Sequence, residues 1–186
     1  MIINLRNWKN DIGHTAYSGT CGSTAYWSLS DTGYLVIYGT GTMTDYSDAT
    51  TMPWYSYRSQ IKTIIIIGIT HIGDYAFVSC SNAKLVSIPN SITSIGNYCF
   101  NYCTALTSIT IGDSVTSIGT YCFAVCTAVT SITFKGNQPT LASNSFFLGN
   151  FQVLVTATVY SSGWANATVF TSTIIGSYTT LSYVTV

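Results

Sequence analysis

Residues 92–103 read ITSIGNYCFNYC, and the same frame stands at 69–80 as ITHIGDYAFVSC and at 115–126 as VTSIGTYCFAVC. Subtracting positions puts Phe77, Phe100, Phe123 and Phe146 at a constant interval of 23 residues. Ile72, Ile95 and Ile118 keep that interval, as do Gly73, Gly96 and Gly119, Tyr75, Tyr98 and Tyr121, and Cys80, Cys103 and Cys126. A fixed period of this length means that each repeat is one coil, too small to bury its own apolar face and completed only by stacking on its neighbours. The cysteines of the quoted stretch therefore read first as architecture.

Working outward, KLVSIPNSITSIGNYCFNYC and ALTSITIGDSVTSIGTYCFAVC are the fullest repeats, preceded by IKTIIIIGITHIGDYAFVSC and fading in AVTSITFKGNQPTLASNSFF. Within a repeat, Ile109 and Ile111 alternate as a strand does, and Ile118 re-enters the core nine residues after Ile109. Each coil thus turns inward twice. Gly73, Gly96 and Gly119 mark places where the backbone bends or a β-carbon is penalised. Upstream, Trp27 and Leu29 share parity with Leu35 and Ile37 across the turn-forming Asp31, Thr32 and Gly33, a hairpin with one buried face. Pro53 stands at the start of a short helical turn carrying Trp54 and Tyr57. Downstream, FQVLVTATVY alternates as a strand, SSGW turns, and TSTIIGSYTTLSYVTV holds two further β segments that cover the open end. The expected organisation is an N-terminal β-hairpin cap with a short helix over residues 1–60, repeats over 61–149 and a β cap over 150–186.

Composition narrows the function classes. Charged residues are 6% of the 186, against roughly a quarter in ordinary soluble domains. Six Lys and Arg balance six acids, all Asp, so the chain lacks the basic footprint that nucleic acid or an anionic membrane selects. The absence of Glu and the wealth of Ile, Val, Thr and Tyr favour strands over helices. A net charge of zero also favours self-association. The longest strongly apolar run, Ile64 to Ile69, is far shorter than the roughly 20 residues a membrane helix needs. Arg6, Lys9 and Asp11 interrupt the opening MIINLRNWKNDIG where an export signal requires an apolar stretch.

LTSITIGDSVTSIGTYCFAVC resembles the BspA-like leucine-rich repeat, which reads approximately LxSIxIPxSVTSIGxxAFxxC. SGTCGSTAYWSLSDTGYLVIYGTGTMTDY, followed by PWYSYRSQIKT, is similar to the module that often precedes such repeats. FKGNQPTLASNSFF and the later SGW resemble the family's closing segment. The chain departs from the pattern at Ala83 and Ala105, in the shortened GITHIG, and at Cys99 and Cys122, where the family has alanine. The resemblance implies a mainly β fold, a short leucine-rich-repeat solenoid of 23-residue coils with β-rich capping modules at both ends. It also implies a non-enzymatic recognition or adhesion protein, extracellular, on a bacterial cell surface or a phage virion.

Stacked coils, about 4.8 Å apart as neighbouring strands are, would bring Cys80, Cys103 and Cys126 into one column and Cys99 and Cys122 into a second. Side-by-side vectors suit disulfides poorly, so the expectation is buried, reduced, structural thiols. The C-x3-C spacing lacks the paired C-x2-C or histidine partners of a zinc site, and Cys21 has no nearby histidine to make it a nucleophile. GTGTM at 39–43 lacks the third glycine of a dinucleotide loop and reads as a turn. The column holding Asp74 continues as Asn97 and Thr120, which supplies no carboxylate pair. Asn166, Ala167 and Thr168 match a glycosylation acceptor.

No cofactor, metal or catalytic residue is therefore expected. The binding candidates are Tyr75, Tyr98 and Tyr121, a ladder of rings offering apolar area and hydroxyls at little rotamer cost; the competing reading is that they only cover the coil edges. The expected partners are a protein or glycan at a surface, or further copies of the chain in a homo-oligomer or assembly. Nucleic acid and a membrane span are not expected.

Overall fold

The computed structural model describes residues 13–146 and the backbone of two later strands, Val155–Val159 and Leu181–Thr185. Residues 1–12, the SSGW turn, the Asn166 acceptor and the rest of the tail lie outside the described residues. The fold is the expected solenoid, mainly β with little helix.

The hairpin expected around Gly33 is present. Strands β1 (Thr15–Thr20), β2 (Ala25–Ser30) and β3 (Tyr34–Gly39) pair antiparallel, with Trp27 opposite Ile37 and Leu29 opposite Leu35. All four of those side chains are buried. The next pairing changes direction, for β3 runs parallel to β4 (Thr63–Ile67), Leu35 facing Ile64 and Ile37 facing Ile66. The second strand of the hairpin is thus also the first rung of the solenoid.

Each later coil contributes two strands. The longer ones, β6 (Leu85–Ser87), β8 (Ser108–Ile111) and β10 (Ser131–Phe134), form one parallel sheet. The two-residue ones, β5 (His71–Ile72), β7 (Ser94–Ile95), β9 (Ser117–Ile118) and β11 (Thr140–Leu141), form another. Alternation does the sorting: in β8, Ile109 and Ile111 are buried while Ser108 and Thr110 face outward. The strands Val155–Val159 (β12) and Leu181–Thr185 (β13) extend the longer-stranded sheet, β12 pairing parallel with β10 and β13 with β12.

The turn after each short strand is where this fold departs most from the regular helix or strand. Tyr75, Tyr98, Tyr121 and Asn144 sit at φ 58, 54, 52 and 56, and Ser79, Tyr102 and Val125 repeat that left-handed geometry four residues later. Such a backbone costs a non-glycine residue about 1–2 kcal/mol. The kink aims the N–H groups of Tyr75, Phe77 and Ser79 at the next coil, where they donate to the carbonyls of Asn97, Cys99 and Asn101 at 2.9, 2.7 and 2.8 Å. The glycines two residues earlier serve a different purpose. A Cβ on Gly96 would lie 2.4 Å from Asp74 Oδ1 and 2.5 Å from Asp74 N, so glycine is needed because one coil's backbone presses on the next.

A smaller cluster gathers around Val36 with Tyr34, Tyr38, Ile65 and Ile67, and the main core runs from Cys21 to Phe146. Its spine is a file of parallel rings: Phe77, Phe100, Phe123 and Phe146 stack with centroids 5.0, 5.1 and 5.0 Å apart. Trp54 heads the file, 5.9 Å from Phe77 and stacked on it, and its Nε1 donates to the Ala76 carbonyl at 2.8 Å. Trp27 meets Trp54 edge-on at 5.6 Å, which ties the hairpin into the same core. Each aromatic pair adds about 0.5–1.5 kcal/mol beyond the area it buries.

Candidate functional site

All six cysteines are free and buried. Cys99 and Cys122 occupy the column that Ala76 begins and Ser145 ends, four small side chains that are all fully buried. Cys103 and Cys126 donate their thiols to the Phe77 and Phe100 carbonyls, each at 3.3 Å. Burial pushes the Cys80 thiol up to about 12 and raises the thiols of Cys99, Cys103 and Cys126 as well. Cys21, the one cysteine outside the columns, is likewise pushed up by burial to about 12. A nucleophile needs the opposite shift, so these are packing groups. Among the described residues, no group of three or more His, Cys, Asp or Glu is placed to hold a metal ion.

The tyrosine column is brought together as expected. Tyr75 and Tyr98 stack at 5.0 Å with 7° between planes, and Tyr98 and Tyr121 at 5.4 Å with 13°. All three are half-buried. Their faces cover one another, so the file presents ring edges and hydroxyls to its surroundings. Burial raises the Tyr75 phenol above its ordinary value, with the neighbouring Tyr98, Asp74 and Asp48 adding to the shift.

Beside this column runs a second polar row with the same 23-residue interval. The outward residues of the short strands stand in register, His71 beside Ser94, Ser94 beside Ser117 and Ser117 beside Thr140. His71 replaces the hydroxyl that the other coils carry. Its Nε2 lies 3.0 Å from Asp45 Oδ1 and its Nδ1 2.7 Å from Ser94 Oγ. Because an ionised carboxylate only accepts, Nε2 carries a proton and donates it in the hydrogen bond to Asp45.

Asp45 Oδ1 also accepts the Asp74 N–H at 3.0 Å, Asp74 Oδ1 accepts the Asn97 N–H at 2.6 Å, and Asn97 Oδ1 accepts the Thr120 N–H at 2.8 Å. One side-chain oxygen per coil thus secures the backbone of the next. Burial raises the Asp45 carboxyl, but hydrogen bonds from His71 and the Asp74 N–H, together with the His71 charge, outweigh it and leave it below the ordinary aspartate value.

Asp45, His71 and Ser94 have the residue types of a hydrolytic relay. An oxyanion site needs unengaged donors aimed at one point, and the nearby backbone groups are committed elsewhere. The N–H groups of Thr93, Gly96 and Asn97 around Ser94 already donate to the Thr70 carbonyl, the Ile72 carbonyl and Asp74 Oδ1. The arrangement is suited to holding a polar groove in shape.

The BspA-type leucine-rich repeat region matches residues 53–162 in six copies. The match begins one residue before Trp54, where the aromatic file begins. The chain is also similar to the crystal structure of a leucine-rich repeat protein from Eubacterium ventriosum, at 27% identity and a TM-score of 0.59, covering 80% of this chain. The similarity spans 45% of that protein, less than half its length. No curated protein matches. Repeats of this type are typically non-enzymatic and usually surface-associated, and they point to a protein-binding role. Among the described residues no helix is long and apolar enough to cross a membrane. With the match covering more than half of its residues, the chain belongs to the BspA-type leucine-rich repeat family.

Proposed function

We propose that this protein is a surface-displayed recognition or adhesion module, outside the cell, engaging a protein or glycan partner through the row Tyr75, Tyr98 and Tyr121. The observation that carries the reading is the conformation of that row. Three tyrosines hold a costly left-handed backbone and keep one edge of each ring accessible, whereas asparagine, which tolerates this geometry better, occupies the same column at Asn144. A rigid file of amphipathic rings loses little entropy on binding.

The test is binding of the fluorescently tagged chain to intact bacterial and epithelial cells, read by flow cytometry. The expected result is saturable binding that disappears when all three tyrosines are replaced by asparagine, with thermal unfolding little changed. Equal binding by the triple variant would contradict the reading.

A second reading is a self-assembling structural subunit of a filament, fibre or phage virion. It is favoured by a net charge of zero with only 6% charged residues, which leaves little repulsion between copies. Negative-stain microscopy of the purified chain separates the two, since a recognition module stays a small discrete particle and a building block forms extended objects.

A further inference from the structure

The short-strand sheet carries a groove of about 380 Å³ whose walls include Asp45, His71, Asn97, Ser94, Ser117 and Thr140. That volume falls in the range of small-ligand sites. The groove uses none of the three tyrosines. We propose that it is a second, independent binding site, and that its ligand is an uncharged linear glycan.

The ligand class follows from what the groove can and cannot offer. The strands β7 and β9 pair on both sides, and β5 lies between β7 and the Thr42 bridge, so the backbone donors and acceptors of these three are already engaged. A peptide added as a strand would find no open edge at β5, β7 or β9. What remains is side-chain chemistry: the hydroxyls of Ser117 and Thr140, the lone pairs left on Ser94 Oγ beside its bond to His71, and the second amide hydrogen of Asn97 beside its bond to Asp74, repeated at the spacing of neighbouring strands, about 4.8 Å.

Charge narrows the class further. Asp45 and Asp74 disfavour an anionic ligand. A cation finds Asp45 Oδ1 already taken by His71 and the Asp74 N–H, and both oxygens of Asp74 taken by Asn97. A neutral ligand rich in hydroxyls, each able to donate and accept and spaced along a chain, matches what is left. His71 closes one end of the row. Gripped by Asp45 and Ser94, it is the single place where the column departs from Ser or Thr, which makes that end distinct from the middle of the groove.

The test is isothermal titration of the full chain with cellohexaose, mannohexaose and xylohexaose, with a hyaluronan hexasaccharide as the anionic control. At least one neutral hexamer is expected to saturate the protein, and hyaluronan is not. Ser117→Tyr, which fills the groove from its floor, is expected to abolish binding, and His71→Ser, which restores the column's own residue type, to weaken it at least tenfold. Tyr98→Asn is expected to leave it within twofold. Should Ser117→Tyr fail to fold, His71→Ser decides alone. The proposal is overturned if no neutral hexamer saturates, if hyaluronan binds equally well, or if neither groove variant weakens binding. Loss in Tyr98→Asn with both groove variants unaffected would assign the glycan to the tyrosine row instead.

Discussion

The molecule carries two files of stacked aromatic rings with the same 23-residue period and nearly the same spacing, about 5 Å. The phenylalanine file is fully buried. The tyrosine file is half-buried and pays for its place with a left-handed backbone at every member. Stacking geometry alone therefore says nothing about role. Burial decides: the inner file removes whole rings from water and holds the coils together, whereas the outer file gains less from packing and is strained, so its retention calls for an explanation other than stability.

The largest expected effect breaks the inner file. Phe100→Ala leaves a cavity between Phe77 and Phe123 and should destabilise the fold by about 3–5 kcal/mol, read from chemical denaturation with Phe123→Ala as a replicate. Trp54→Ala should cost a similar amount, because Trp54 heads the file and links it to Trp27. A loss below about 1 kcal/mol at either site would mean that the hairpin and the coils do not share one core.

The same substitution in the outer file sharpens the contrast. Tyr98→Asn loses two ring contacts but relieves backbone strain, and should change stability by no more than about 1 kcal/mol. A cost as large as that of Phe100→Ala would show that the tyrosines are structural after all.

The buried thiols predict a pH dependence. Burial raises Cys80 and Cys21 to about 12, so the unfolded chain deprotonates first. Stability should be fully present below the ordinary thiol value, about 8.5, and fall as pH rises toward 12. Cys99→Ala, the residue found at Ala76 in the same column, should reduce that alkaline loss and cost about 1.5 kcal/mol or less at neutral pH. Native protein should react slowly with maleimide, and denatured protein at all six sites. The smallest effect is at the acid side. Asp45 is depressed, so its contribution is present above the ordinary aspartate value, about 3.9, and is lost as pH falls through the lower folded value. Asp45→Asn should flatten the acid limb of a stability–pH curve slightly.

The period, the buried columns and the tyrosine row were legible by subtraction, because coils of one length place equal residues one above another. Trp54 was harder to read. It stands 23 residues before Phe77, but its neighbourhood is a different coil, with Thr42 bridging to His71 across 29 residues. Once the loop length changes, the period no longer identifies the rung. The Asp45–His71–Ser94 line was hidden for the same reason, since Asp45 lies in that irregular coil. The one available signal was a histidine in a column of hydroxyls. The left-handed tyrosines were not legible either, because glycine is the residue that announces such a backbone and here it stands two positions earlier, serving close approach between coils.

The central claim, coils stacked in register with like residues in file, is tested most directly by NMR on protein selectively 13C-labelled at phenylalanine. The account predicts ring-to-ring Overhauser contacts between Phe77 and Phe100, Phe100 and Phe123, and Phe123 and Phe146, with none between Phe77 and Phe123. Missing sequential contacts, or a direct contact between Phe77 and Phe123, would contradict it.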